Sequence, residues 1–355
     1  MKTYGKWPAP VSLKKLVETP SLPLQWAVPN LIPQGLAILA GASKIGKSYL
    51  ALNLALSVAN GENALGASLY PCQVGDVLFC CLEDSNRRIR TRAIELAEAV
   101  GWGIPDQIEV TTVMPRLREE SEDEMNGVEY MQQWYEAKAN PKLIVIDMWE
   151  YFRPVMKKGR GIGNAYNIEY ELLKDLQAFA RRNEGITVLL VHHLRKSTGH
   201  GDIIDQVSGS AAMVGAPDTV AIFRRTGENQ LQGILHLKGR DIAETELLLQ
   251  GGEDHWWNLV GQEDTVRKVS LSKERREIID LLTEMDKPLS PKEIGVYLGK
   301  DDGAIRQLLY KLHNQPKPLI KKVGDKYALP NISNSSNASK GSNTVISNIS
   351  NGDNG

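Results

Sequence analysis

An α/β fold, with a mostly parallel β-sheet covered by helices and antiparallel strands along one side, is predicted by three features of this sequence. From about residue 31 to residue 260, short apolar runs alternate with longer stretches of helical periodicity, the sequence form of strands joined by helical crossovers. The last of these runs lie too close together for helices between them, so they pair as antiparallel hairpins. Beyond residue 271 the pattern changes to three short amphipathic helices and a hairpin, a second and smaller unit.

In chain order, residues 1–30 form an N-terminal arm and residues 31–260 the main domain. Within that domain, apolar runs at 35–40, 75–82, 108–114, 142–147, 186–192, 218–223, 231–239 and 246–250 read as strands, and helical periodicity covers 47–60, 84–100, 124–138 and 166–183. A turn at 226–230, "TGENQ", joins two of the last strands. A polar linker at 261–271 leads to the small domain, 272–330. Its second helix opens with Ser290 as N-cap and Pro291 at the first helical position, where a missing N–H costs nothing. "LIKKVGDKYAL" (319–329) then supplies two strands around Gly324 and Asp325. Three helices and a hairpin make the pattern of a winged helix. Residues 331–355 are Asn/Ser-rich, have almost no apolar surface to bury, and are expected to be disordered.

A chain of 355 residues that is 42% hydrophobic and 24% charged can bury a sizeable core. Its formal net charge of -1 excludes attraction of nucleic acid by a global field, so any such attraction must come from local basic loops. Cys72, Cys80 and Cys81 are odd in number and lack metal-ligand spacing; they read as reduced, buried fillers. The N-terminus lacks the apolar stretch of a signal peptide, and no run of about 18 apolar residues offers a membrane span. A soluble cytoplasmic protein is the expectation.

The motif "GASKIGKS" fits G-x-x-x-x-G-K-[ST] directly after a strand and before a helix, the context it requires. Its glycines let backbone N–H groups turn towards phosphates, so Gly41, Ala42, Ser43, Lys44, Ile45, Gly46, Lys47, Ser48 and the following Tyr49 are the candidate cradle of a nucleoside triphosphate. Lys47 reaches the β and γ oxygens and Ser48 ligates Mg²⁺. Asp147 ends the apolar strand "LIVID", where a carboxylate is unwelcome unless it faces a cation; it is the Walker B candidate that holds Mg²⁺ through water. "FCCLEDS" ends in Glu83 and Asp84. A carboxylate beside the γ-phosphate can deprotonate the attacking water, and Glu83 is nearer the strand, while Asp84 and Ser85 suit helix capping. Asp84 remains the alternative base. "VLLVHHLRK" ends in His192 and His193, which point to opposite faces, so only one of them can look into the site. That histidine either contacts the γ-phosphate or is structural; a two-histidine metal site is disfavoured because neighbouring strand residues diverge.

Walker A, a strand-end "LED" before a basic helix, Walker B, a strand-end "HHLRK", a polar loop with "GS", and a late strand ending "KGR" occur here in that order. The ordered set resembles the RecA-like ATPases of the hexameric replicative helicases, nearest to RepA-type stand-alone helicases of plasmids, phages and mobile elements and more distantly to DnaB. It covers residues 25–250. The resemblance implies a RecA-like ATPase core, ATP and Mg²⁺ as ligands, a homo-oligomeric ring, and single-stranded DNA as partner. It also implies that Arg240 is an arginine finger, with Lys238 its companion, reaching a neighbouring subunit's nucleotide. Alternation along "ILHLKGRD" puts the two cations on one face, and phosphoryl transfer needs positive charge at the γ-phosphate. Solvated or ion-paired strand-end charges are the plainer reading. The chain departs from DnaB-type enzymes in having histidine in place of glutamine, in lacking their large helical N-terminal domain, and in carrying the added winged helix.

Two segments match the channel loops of RecA-like rings: residues 148–167, with Arg153, Lys157, Lys158 and Arg160, and residues 195–210, opening with Arg195 and Lys196. In the small domain Arg306 and Lys311 on the third helix, with Lys321 and Lys322 on the hairpin, suit duplex DNA, although winged helices also dock proteins such as replication factors. Two other functions fit the same residues: a nucleotide-switched DNA-binding regulator or replication-initiation factor, and a recombinase-like filament former.

Overall fold

The computed structural model describes residues 3–4, 7–8, 10–118, 125–154, 162–194, 212–226, 231–262, 273–314 and 318–330. They fall into two compact units, Met1–Arg267 and Lys268–Gly355. Residues 227–230 of the expected turn, most of the linker and the Asn/Ser-rich tail lie outside the described residues.

The first unit is built on nine described strands: β1 (Gly35–Gly41), β2 (Asp76–Cys81), β3 (Ile108–Thr111), β4 (Pro141–Asp147), β5 (Thr187–His193), β6 (Thr219–Arg225), β7 (Gln232–Gly239), β8 (Thr245–Gly251) and β9 (Trp257–Gly261). They lie in the order β9-β8-β7-β6-β1-β5-β4-β2-β3. From β6 to β3 every pairing is parallel, and from β6 to β9 every pairing is antiparallel. The central strands read as unbroken apolar runs because both of their faces are covered. β3 stops sooner than residue 114 because the Thr111 hydroxyl takes the Val113 N–H, a local bond that competes with the ladder. β9 lies beyond the strands expected from sequence. It is held in place by Trp257, whose N–H donates to Asn53 Oδ1 at 2.7 Å.

Helices α1 (Lys47–Asn60) and α2 (Asn86–Val100) cover one face of the sheet, and α3 (Gly127–Ala137) and α4 (Ile162–Arg182) cover the other. Strand alternation divides the core accordingly: Val145 and Val191 pack in the α1 layer, Ile146 and Leu190 in the α4 layer. α1 ends where Gly61 turns left-handed at φ 71°. α3 begins with a capping box between Asn126 and Glu129. Cys72, Cys80 and Cys81 are free and buried. Ahead of the sheet, a small hairpin pairs Trp26–Val28 with Ile32–Pro33.

The second unit packs α5 (Lys273–Met285), α6 (Pro291–Leu298) and α7 (Asp302–His313) around Ile279, Leu282, Ile294, Ile305 and Leu309, followed by the hairpin of β10 (Lys321–Val323) and β11 (Lys326–Ala328). Ser290 caps α6 in a capping box with Glu293, as its position ahead of Pro291 predicts. Among the described residues, no helix is long and apolar enough to cross a membrane.

Leu190 is fully buried in a strand with neighbours on both sides. Leu190→Ala is expected to lower the unfolding free energy by about 3 kcal/mol, read from urea midpoints. Val113→Thr, at an 80% exposed side chain, should change it by less than about 0.5 kcal/mol.

Candidate active site

Six parallel strands place their carboxyl ends along one edge, and the loops leaving β1, β2, β4 and β5 meet there. β5 lies between β1 and β4, with Gly41 opposite His193 and Val191 opposite Asp147. Asp147 continues the parity of Val145, and His193 that of Val191; both therefore face α1, the helix that carries Lys47 and Ser48.

The loop from Gly41 to Gly46 turns through two left-handed positions, Lys44 at φ 63° and Gly46 at φ 97°. Such alternation aims successive N–H groups into one concavity. Gly41 has no room for a side chain, since a Cβ there would meet the Phe223 carbonyl at 2.4 Å. Ala42, Ser43 and Lys44 are exposed on the loop, while Ile45 packs against the core. The Lys47 side chain folds back beneath the loop, 3% exposed, and its ammonium donates to Gly41 O (2.9 Å), Ala42 O (2.7 Å) and His193 Nδ1 (2.8 Å). Burial pulls its pKa from 10.5 down to about 8, against the opposing pull of the Asp147, Glu150 and Glu83 carboxylates.

Asp147 is 2% exposed, and burial pushes its carboxyl up to about 6; the bond it accepts from the Ser48 hydroxyl and the Arg92 charge pull the other way. Its Oδ1 is buried with no partner. Glu83 is exposed beyond β2, and among the described residues its carboxylate has no ion or hydrogen-bond partner. Asp84 differs from its expected role. Ser85 occupies the N-cap position of α2 without a side-chain bond, and Asp84 instead pairs with Arg88 at 3.2 Å and with Arg92. Two guanidiniums one and two turns along the helix outcompete a capping bond for that carboxylate and commit it.

Of the two histidines, His193 reaches Lys47. It accepts from an ammonium at Nδ1, so the ring is neutral with its proton on Nε2, and burial together with the Lys47 charge lowers its pKa. His192 lies on the opposite face, with Nδ1 2.9 Å from Glu150 Oε1.

Four neighbours of this edge, Arg92, His255, Arg225 and Trp257, escaped the sequence reading. Arg92 lies over the Tyr49 ring at 5.2 Å, and Tyr49 stacks on His255 with centroids 4.2 Å apart. Arg225, at the end of β6, stacks on Trp257 at 4.4 Å, and both flank Gly46. These contacts depend on β6 adjoining β1 and on β9 folding back over α1, which no local motif encodes.

Lys238 and Arg240 are elsewhere. Gly239 pairs with Thr219, and Thr219 with Ala37, so both cations sit at the end of the sheet opposite the phosphate loop of their own chain. With Asp218, Val220, Ile222 and His236 they line one pocket of about 280 Å³, and so share a face. Lys238 is paired with Glu244 at 3.2 Å, and Arg240 with Asp218 at 2.9 Å. Arg153 lies 3.7 Å from Glu169. Lys157, Lys158, Arg160, Arg195 and Lys196 lie outside the described residues. In the second unit Arg306 is paired with Asp302 at 2.9 Å, Lys321 donates to the Pro330 carbonyl at 3.0 Å, Lys311 is exposed on α7 and Lys322 is exposed on β10.

Lys47 loses its proton near pH 8 in the fold and near 10.5 when unfolded. Between those values the unfolded chain binds more protons, so stability rises with pH. Relative to Lys47→Met, the wild type is expected to gain stability from pH 8 to 10.5, by about 3 kcal/mol at most. Urea midpoints of both proteins across that window measure it; a constant difference contradicts the desolvated ammonium.

Residues 8–199, more than half of the chain, match the family model described as AAA domain. Among solved structures, the chain is similar to an ATPase domain, with 14% identity, a TM-score of 0.48, and coverage of 65% of this chain and 85% of that one. It is also similar to a DnaB-like replicative helicase studied with primase, with 13% identity, a TM-score of 0.49, and coverage of 64% of this chain and 57% of that one. No curated protein matches the sequence. The chain's own sheet is large and mostly parallel, with its loops gathered at the strands' carboxyl ends. By the family model that spans its first half and the phosphate loop within that span, the chain belongs to the AAA domain family.

Proposed function

We propose that this chain is an ATP-hydrolysing motor of the replicative helicase type, which assembles with copies of itself into a hexameric ring and moves along single-stranded DNA. The observation that carries the reading is the convergence of Lys47, Ser48, Asp147, His193 and Glu83 at the ends of adjacent parallel strands. A triphosphate offers the buried Lys47 ammonium stronger acceptors than two carbonyls and a neutral imidazole. Ser48 and Asp147 form an oxygen-only set with one orphaned buried oxygen, which suits a hard divalent cation; Mg²⁺ bound there would neutralise phosphate charge. Glu83, exposed and without an ion or hydrogen-bond partner among the described residues, would take a proton from the attacking water. His193 touches the lysine that a γ-phosphate would recruit. Arg225 with Trp257, and Tyr49 with His255, offer cationic and aromatic surface beside the loop to the rest of the nucleotide.

Arg240 is the proposed finger for the adjoining subunit's ATP, with Lys238 beside it. Its pairing to Asp218 is half exposed, a contact worth about 0–1 kcal/mol. Asp218 also accepts from the Leu36 N–H and from Gln177, so it stays satisfied when Arg240 leaves. Arg153 and the basic segments after β4 and β5 would meet the DNA strand. The second unit is proposed to be a winged helix, docking duplex DNA or a replication protein through Arg306, Lys311, Lys321 and Lys322. A plasmid, phage or mobile element is the setting that the RepA-type resemblance suggests.

ATP turnover stimulated by single-stranded DNA, and ATP-dependent strand displacement on a forked duplex, are the expected activities. Lys47→Ala and Glu83→Gln should each cut turnover by at least about 100-fold, Glu83→Gln with nucleotide binding intact. Hydrolysis without unwinding would sink the motor and leave the regulator reading; Glu83→Gln at the wild-type rate would remove Glu83 as base.

A further inference from the structure

His192 and His193 are adjacent, yet they serve opposite faces of β5. His193 is bonded to the lysine of the phosphate loop, and His192 contacts Glu150 across the neighbouring strand end at 2.9 Å. Glu150 belongs to a single helical turn, Trp149–Phe152, separated from Asp147 by Met148 alone. That turn is itself firmly held. Trp149 and Phe152 are fully buried, Trp149 Nε1 donates to Glu169 Oε1 on α4 at 3.3 Å, and the Phe152 carbonyl accepts from Leu117 N–H. Arg153 is joined to it by the N–H that it donates to the Trp149 carbonyl, so the turn and Arg153 form one bonded unit.

The contact is shielded, with the His192 side chain 16% exposed and Glu150 28%, so it is screened less than a surface pair. Burial pushes the Glu150 carboxyl up, but His192 beside it and the Glu150 backbone N–H pull the other way, and the carboxyl lies below its ordinary range. Glu150 Oε2 and His192 Nδ1 are both buried without a well-aligned hydrogen bond, so the 2.9 Å approach of His192 Nδ1 to Glu150 Oε1 is the contact that joins the two side chains.

We propose that Glu150 and His192 form a latch that carries the state of the phosphate loop to the turn Trp149–Phe152 and so to Arg153, the first of the cations expected to meet DNA. This rests on the proposed nucleotide site. When phosphate draws Lys47 away from the loop carbonyls, His193 loses its donor or follows it. The shared backbone transmits the shift to His192, on the other face, and Glu150 passes it to a rigid turn. Glu150 is a positioning residue: its charge is felt at Lys47 and His193, but its contact is with His192.

Hydrogen exchange followed by mass spectrometry, on the full chain with and without Mg²⁺ and ATPγS, tests the latch. In the wild type, nucleotide should protect residues 41–48 and change exchange at 148–154 by at least about fivefold. Glu150→Ala should keep the first response and lose the second. Glu150→Gln, which retains an acceptor at the Oε1 position, should keep both. His192→Ala should reproduce Glu150→Ala, and the double variant should add nothing to either. A response at 148–154 that survives in Glu150→Ala or in His192→Ala, or losses that accumulate in the double variant, overturns the latch. Loss in Glu150→Gln as well as in Glu150→Ala, with 41–48 still protected, also overturns it. No protection at 41–48 in the wild type removes the nucleotide site and the latch together.

Discussion

A buried ammonium with only neutral acceptors is the constraint around which this site is arranged. Removing Lys47 from water costs more than two carbonyls and an imidazole return, which is why its proton is loosely held. Asp147, also buried, would be the natural counter-ion. Yet no ion pair joins the two among the described residues, because the sheet order inserts β5 between β1 and β4. His193 on β5 holds the ammonium at 2.8 Å, and Asp147 acts on it as the strongest of the surrounding charges without bonding to it. Were β1 and β4 neighbours, lysine and aspartate would neutralise each other and the loop would have no charge to offer a ligand. Strand order is thus an electrostatic device, and the side chain that fills the gap is His193.

The same sheet explains why the cationic pair at Lys238 and Arg240 cannot serve this site from its own chain. Reversal of direction between β6 and β7 returns the chain to the far end of the sheet. Both cations rest there in surface pairings that are weak and replaceable, beside an aspartate anchored by other donors. Within one copy, binding groups and the proposed finger occupy opposite ends of the sheet. A ring closed by head-to-tail contacts is the arrangement that brings such ends together.

Much of this was legible in the sequence, for identifiable reasons. The phosphate loop is contiguous in the chain, and the expected span of α1, 47–60, coincides with its observed bounds because a glycine stands at each end. Asp147, Glu83 and the histidines stood out as polar residues ending apolar runs. Choosing between His192 and His193 was out of reach, since alternation says that they diverge but not which face carries Lys47. The Asp84 pairing could have been read, because Asp84, Arg88 and Arg92 recur at helical spacing. So could β9, where Trp257 and Leu259 turn inward and Asn258 and Val260 outward. Arg225 and Trp257 beside Gly46 could not, because their approach depends on pairings between distant segments.

The proposed motor requires that one copy's ATP site be completed by the next copy. Mixing Lys47→Ala with Arg240→Ala tests this directly by ATP turnover. Alone, Arg240→Ala is expected to be at least about 1000-fold slower than wild type and Lys47→Ala at least about 100-fold. Equal mixing with random exchange into rings leaves about a quarter of the sites intact, so turnover should reappear in the mixture. An Arg240→Ala protein as fast as wild type, or a mixture as inactive as its parts, would contradict the shared site.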